Sequence, residues 1–217
     1  MSLAIFDLDN TLLNGDSDHA WGEFLCEQGI VDVEEYRRAN DYFFQQYKAG
    51  TLDIFEFLGF ALKPLASHSL EQLEQWHQQF MREKIAPMML KKATTLLQKH
   101  REQGDYLLII TATNRFVTGP IATQLGVDDI LATEPELIDG RYTGQIAGTP
   151  CFQAGKVERL NHWLKNTQHS LEDSYFYSDS QNDLPLLRLV DNPVAVDPDD
   201  SLKKTAQDLG WPIISLR

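Results

Sequence analysis

The apolar positions of this chain follow two rhythms. Near-continuous apolar runs at 3–8, 106–110, 175–177 and 194–196 predict short strands buried on both faces. Elsewhere apolar residues recur every three or four positions, which predicts helices. From about 14 to 103 the helical rhythm is almost unbroken. Trp21, Phe24 and Leu25 stud a first helix, and Tyr36, Phe43, Phe44 and Tyr47 a second that ends at Gly50. Residues 53–62 form a short third helix before Pro64. Ser69-Leu70-Glu71-Gln72 has the form of a capping box and opens a fourth. Pro87 breaks any continuation, and 88–103 makes a further helix stopped by Gly104. Beyond it, helices at 114–125, 153–167 and 182–190 alternate with the strands, and Asp139-Gly140 predicts a hairpin turn. Alternating strands and helices imply a parallel sheet with right-handed crossovers. The expected layout is an α/β core over 1–14 and 86–217, interrupted after its first strand by an all-helical insert at 15–85.

Composition narrows the class. At 217 residues, 42% hydrophobic and 24% charged, the chain can build a substantial core, and disorder is not expected. A formal net charge of −13 argues against nucleic acid or an anionic membrane as partner. Two cysteines, Cys26 and Cys151, make no disulfide framework and suit a reducing compartment. The first strand begins at the N-terminus without a basic, apolar leader, and no apolar run approaches the ~20 residues of a membrane helix. Together these predict a cytoplasmic protein.

The candidate chemistry lies at the strand ends. Asp7 and Asp9, two apart, point the same way where the first strand runs out. Loops past the carboxyl ends of parallel strands are where α/β folds place their sites. Paired carboxylates repel, so they need a shared proton or a cation, and a hard divalent ion such as Mg²⁺ takes oxygen ligands and bridges to phosphate. A plain acidic turn fits this segment equally well. Thr111 follows the second strand, where its hydroxyl can bond a phosphate oxygen or cap a helix. Lys156, at the start of a helix, can neutralise a carboxylate and a phosphoryl oxygen, or be a surface lysine. Asp179 and Asp183 follow the strand 175–177 and can supply further oxygens to one cation, whereas the alternative is helix capping by Asp179 or Asn182. Found together at successive strand ends, these residues favour a shared site.

The combination Asp7-Leu8-Asp9-Asn10-Thr11, Thr111, Lys156 and Asp179 with Asp183 resembles the four motifs of the haloacid dehalogenase superfamily. The helical insert and the hairpin resemble its phosphoserine-phosphatase-like branch. The resemblance implies a Rossmann-like three-layer core, with 15–85 as a four-helix-bundle-like cap. It implies a phosphatase acting on a small phosphate ester. Asp7 would be the nucleophile that forms an aspartyl-phosphate, and Asp9 the general acid and base. Thr111 and Lys156 would hold the phosphoryl group. Mg²⁺ would bind Asp7, the Asp9 carbonyl and Asp179, with Asp183 helping directly or through water. Asp16 would read a substrate amine, and Asn182 would bind substrate. A competing reading makes Asp16 a helix cap, with Asp18 and Glu23 as solvated charges. No arginine falls in register to read a substrate carboxylate, so histidinol phosphate is preferred to phosphoserine. A phosphotransferase or phosphomutase would keep the same residues, a metal-free dehalogenase would not need Asp9, and a catalytically inactive binding module would not need them at all. The insert aromatics Trp21, Tyr42, Phe43, Phe44 and Tyr47 are expected mainly in the bundle core, and His19 on a solvated helix face.

Overall fold

The computed structural model describes residues 2–217. Strand β1 (Leu3–Phe6) is followed by helices α1 (Ser17–Glu27), α2 (Val33–Ala49), α3 (Ile54–Ala61), α4 (Lys63–Ser67) and α5 (Leu70–Phe80). A wide π turn at Met81–Ile85 leads from α5 into α6 (Ala86–Met88), and α7 (Lys91–Gln103) follows. Then come β2 (Tyr106–Asn114), α8 (Arg115–Leu125), β3 (Asp129–Thr133), β4 (Pro135–Ile138) and β5 (Arg141–Ile146). The chain finishes with α9 (Ala154–Lys165), β6 (Tyr175–Ser178), α10 (Leu184–Leu187), β7 (Asn192–Val196), α11 (Asp200–Leu209) and β8 (Ile213–Ile214). The six-stranded sheet has the order β3-β2-β1-β6-β7-β8, and every pairing in it is parallel. The hairpin β4-β5 forms a separate two-stranded sheet.

The period-2 alternation of the central strands divides the core. Ala4, Phe6, Leu107, Ile109, Tyr177 and Val194 point to one face, packed under α1, α7 and α8. Leu3, Ile5, Leu108, Ile110, Phe176 and Ala195 point to the other, under α9, α10 and α11. This is the expected three-layer α/β architecture. Trp21, Phe24 and Leu25 of α1 and Phe80 of α5 join the first of these clusters. The insert is therefore not packed apart from the sheet: its first helix is one layer of the sheet's own core. A smaller cluster of Leu58, Leu62, Leu65 and Leu73 holds α3, α4 and α5 together, with Tyr142 and Ile146 of β5 against it.

Several element bounds differ from the sequence pattern, for identifiable reasons. The first strand ends at Phe6, and the Leu8 carbonyl accepts from the N–H groups of Leu12 and Leu13 in a turn instead of pairing in the sheet. The second runs on to Asn114 rather than 110, so Thr111 lies within it instead of after it. Beyond Ile110 the strand has passed the end of β1, whose pairing stops at Phe6 with Ile109. The predicted helix at 182–190 is a 3-10 turn at Gln181–Asp183 followed by the four-residue α10, with Pro185 in its first turn. The third helix ends at Ala61, before Pro64 as expected, and Pro64 then stands in the first turn of α4. Pro87 lies where the helical chain that continues from the π turn comes to an end, at Met88. The capping box at Ser69 and Gln72 is present. The sheet's two edge strands, β3 and β8, were absent from the sequence pattern. Among the described residues no helix is long and apolar enough to cross a membrane.

Because α1 and the sheet share one core, truncating Phe24 should weaken both together. We expect Phe24→Ala to cost about 3–5 kcal/mol in urea unfolding, with one transition whether followed by near-UV or far-UV circular dichroism. A separate early transition with an unaffected main one would show that the insert unfolds independently.

Candidate active site

The loop after β1 is fixed from several directions. The backbone N–H of Asp7 donates to the Tyr177 carbonyl at 2.9 Å, which extends the β1–β6 pairing by one residue. Leu12 and Leu13 N–H groups return to the Leu8 carbonyl, and Asn10 takes a left-handed backbone (φ 56°), which asparagine tolerates. Where the chain leaves for the insert, Asn14 N–H donates to the Met88 carbonyl at 2.8 Å. Leu13 forms a bridge with Met89, so the outgoing and returning segments lie side by side. Gly15 (φ 149°) stands between them; a Cβ there would meet Met88 sulfur at 3.2 Å.

Asp7 is 3% exposed and its carboxylate accepts from Lys156 Nζ at 2.8 Å. Lys156 is 2% exposed and also contacts both oxygens of Asp183, at 2.7 and 2.9 Å. Its place on α9 depends on Gly155, where a Cβ would fall 2.0 Å from the Pro150 carbonyl oxygen. Burial alone would lower the Lys156 pKa, but Asp183 and Asp7 outweigh it and hold the ammonium strongly protonated. Ser178 Oγ donates to Asp183 at 2.7 Å, so this carboxylate is engaged on both oxygens. Thr11 Oγ lies 3.3 Å from Asp7 Oδ2 and 3.3 Å from Asp179 Oδ1, and accepts from Asp179 N–H at 3.1 Å. One hydroxyl thus joins the two carboxylates and sets them side by side.

Asp9 occupies a different environment. Ser17 N–H donates to one oxygen at 2.6 Å and Thr113 Oγ to the other at 2.8 Å. Thr113, which the sequence motifs did not single out, is brought in by the extra length of β2. It also donates its N–H to Thr111 Oγ at 3.2 Å, and Thr111 itself is buried beside Asp7 and Asp9 at one end of a pocket. The electrostatics show what this packing costs. Burial, with Asp183 and Asp9 adding to it and Lys156 opposing it, pushes Asp7 up to about 7. Burial and then the neighbouring Asp16 push Asp9 up to about 7, against the two hydrogen bonds it accepts. Burial and then Asp7 and Asp183 raise Asp179 well above the carboxylate range. Carboxylates crowded this way, with oxygen donors only, make a site that lacks positive charge and suits a hard divalent cation.

The remaining predicted residues divide. Asp16 is the N-cap of α1, accepting from His19 N–H at 2.9 Å, and also lines the pocket, so both readings of it describe its position. Asp18, expected to be solvated, lines the same pocket. Asn182 faces the insert instead of open space. Its amide donates to the Tyr47 carbonyl at 3.1 Å and accepts from Gln153 at 3.0 Å, while Gln181 donates to the Lys48 carbonyl at 3.3 Å. These bonds strap the C-terminal end of α2 to the loop carrying Asp179. Of the insert aromatics, Trp21 is core and Tyr42 is exposed, but Phe43, Phe44 and Tyr47 line the pocket. His19 also lines it, bonded to Asp41 at 3.0 Å.

Lys156 is the point where removal should be felt most. Lys156→Met leaves Asp7 and Asp183 buried without a counter-charge and should cost about 3–5 kcal/mol at neutral pH. The loss should shrink as pH falls through the raised Asp7 pKa, because a protonated Asp7 no longer needs the ammonium. Denaturant titrations at neutral pH and below it measure this. A loss independent of pH would show that Lys156 serves as packing.

Comparison with known proteins agrees with this geometry. Residues 4–188 match the haloacid dehalogenase-like hydrolase family. The chain is 47% identical over 220 residues to a histidinol-phosphatase of Neisseria meningitidis serogroup C (strain 8013), covering 100% of this chain and 99% of that one. It is 31% identical over 217 residues to a phosphoserine phosphatase of Mycobacterium tuberculosis (strain ATCC 25618 / H37Rv), covering 99% of this chain and 70% of that protein. Among solved structures, a Bordetella pertussis Tohama I protein of unknown function superposes with a TM-score of 0.94 at 46% identity, over 100% of this chain and 99% of the other. A phosphoserine phosphatase in a phospho-aspartyl intermediate analogue superposes with a TM-score of 0.73 at 18% identity, over 100% and 93%, a likeness of fold. The chain belongs to the haloacid dehalogenase-like hydrolase family and is one of its phosphatases.

Proposed function

We propose that this phosphatase is a Mg²⁺-dependent phosphomonoesterase that works through an aspartyl-phosphate, with an amino-alcohol phosphate such as histidinol phosphate as substrate. The observation that carries this reading is the unequal treatment of two adjacent carboxylates. Burial raises Asp7 to about 7 as well, but of the two Asp7 alone accepts from an ammonium, a partner that favours the ionised form a nucleophile needs, and it lies beside Asp179. Asp9 has no cationic partner and is pushed up to about 7, chiefly by burial, as a proton donor working near neutral pH requires.

The chemistry follows from these roles. A carboxylate oxygen of Asp7 attacks phosphorus, the ester P–O bond breaks, and Asp9 gives its proton to the departing alkoxide. Asp9, now ionised, takes a proton from water as that water attacks phosphorus and the bond to Asp7 breaks. Thr111 and Lys156 hold the phosphoryl oxygens. The Asp7 and Asp179 carboxylates and the Asp9 carbonyl would hold Mg²⁺, whose charge offsets the crowded oxygens and the transferring phosphoryl group. Asp183, engaged by Lys156 and Ser178, holds the lysine in place and would help hold the ion directly or through water.

The helices of 15–85 act as the cap. They leave about 40 Å³ for water inside the pocket, whereas ligand pockets commonly offer ~300–1,000 Å³. On this reading substrate enters when α2 and α3 swing away from α1, which stays packed on the sheet. The substrate preference rests on the pocket's charge. Asp16 can meet an ammonium, and none of the residues lining this pocket is Arg or Lys to meet a carboxylate. The histidinol-phosphatase relative, at 47% identity over the whole chain, supports the same preference over phosphoserine. A phosphotransferase would use the same residues, and product analysis with competing alcohols separates the two.

Exhaustive chelation should abolish phosphate release from histidinol phosphate, and added Mg²⁺ should restore it. Full activity in the chelated protein would sink the metal assignment. The pH profile tests the acid role. As pH rises through the Asp9 pKa, the proton needed by the leaving alcohol is lost and kcat falls. Asp16→Asn removes a negative charge that raises this pKa, so the alkaline limb of kcat should move to lower pH. An unmoved limb would mean that Asp9 is not the acid.

A further inference from the structure

The pocket contains groups that the reaction does not use. Asp18, in the first turn of α1, lines it together with Asp16 and His19. Among the described residues its carboxylate accepts no hydrogen bond and pairs with no ammonium or guanidinium. The basic side chains nearest in the chain are committed elsewhere: His19 bonds to Asp41 at 3.0 Å, and Arg37 pairs with Glu23 at 3.1 Å. Burial pushes the Asp18 carboxyl well up, and Asp16 and Asp9 push in the same direction. Asp18 is half-buried, and its unpaired carboxylate is free to accept from a group that the protein binds. Aromatic rings share this pocket. Phe43 and Phe44 of α2 and Phe57 of α3 line the same pocket, with Phe43 and Phe57 edge-to-face at 5.5 Å. Ring faces are electron-rich and flat, so they attract cationic or N–H-bearing planar groups.

We propose that Asp18 and the rings of Phe43, Phe44 and Phe57 form a second recognition subsite, beyond Asp16, for a flat nitrogen heterocycle that offers an N–H or a positive charge. The substrate is then an amino-alcohol phosphate with an imidazole-like ring: its phosphate lies at Asp7, its ammonium at Asp16 and its ring N–H at Asp18. This inference rests on the phosphomonoesterase reading and adds to it the residue that reads the ring. An acyclic substrate such as phosphoethanolamine would leave Asp18 as it is. A carboxylate-bearing ester would bring negative charge to a negative wall.

The test compares histidinol phosphate with phenylalaninol phosphate, which keeps the amine and replaces the imidazole by a phenyl ring. The wild-type protein should prefer the imidazole ester. In Asp18→Asn, kcat/KM for histidinol phosphate should fall about 10- to 100-fold, the range for a hydrogen bond to a charged group. The loss should lie mainly in KM, and the preference over the phenyl ester should collapse. An equal loss on both esters, or no loss on either, would overturn the proposal. Thermal unfolding checks that the variant is folded. Should it not fold, Phe57→Leu carries the same comparison, and its imidazole-to-phenyl ratio must change for the proposal to stand. A separate arm uses histidinol itself in calorimetry, whose affinity should drop in Asp18→Asn. If no ester released phosphate from the wild-type protein, the phosphomonoesterase reading would fail, while the calorimetric arm would still decide on the subsite.

Discussion

Everything at this site depends on one buried cation. Lys156 stands between Asp7 and Asp183 with almost no contact with water, and both carboxylates lie at hydrogen-bond distance. A single ammonium cannot neutralise Asp7, Asp9, Asp179 and Asp183 together, and the raised carboxyls show what remains unbalanced. That imbalance makes the site a receptor: it is completed only by what it binds. The sheet exists to hold the imbalance in place. β1 and β6 bring the acids in from two strands, α9 brings the lysine from the opposite layer, and apolar residues on both faces prevent any of them from moving apart.

The insert adds a second level of control. Its helix α1 is part of the sheet's core and carries Asp16 and Asp18, so these acids stand on a wall as rigid as the sheet. The aromatic wall is different. It stands on α2 and α3 and is tied back by side-chain bonds from Gln181 and Asn182 to main-chain carbonyls at the end of α2. Bonds of this kind are individually worth about 1 kcal/mol, so the strap can break and reform in each turnover without disturbing the core.

The sequence made the chemistry legible because it is written in local rules. Asp7 and Asp9 are visible through strand periodicity, Asp179 and Asp183 through their place after an apolar run, and Lys156 through the order in which these residues follow one another. What stayed hidden depended on chain-distant geometry. Thr113 reaches Asp9 only because β2 outruns β1, and no local pattern announces that overhang. The edge strands β3 and β8 are short or partly exposed and carry weak periodicity. Asp18 looked like an ordinary surface acid, since helical spacing shows which residues share a face but not that α2 will roof that face. Asn182 had a match in a related site, yet its amide is used on the Tyr47 carbonyl, which only the folded arrangement could show.

The division between the fixed wall and the strapped wall has a consequence for how such a protein changes over time. Substitutions on the inner face of α2 or α3 alter the shape offered to the substrate without touching the layer that stabilises the sheet. New specificities can therefore be sampled at little risk to folding. Asp16 lacks that freedom, because the same carboxylate that lines the pocket also starts α1. A lineage built on this scaffold should drift readily in its rings and slowly in that acid.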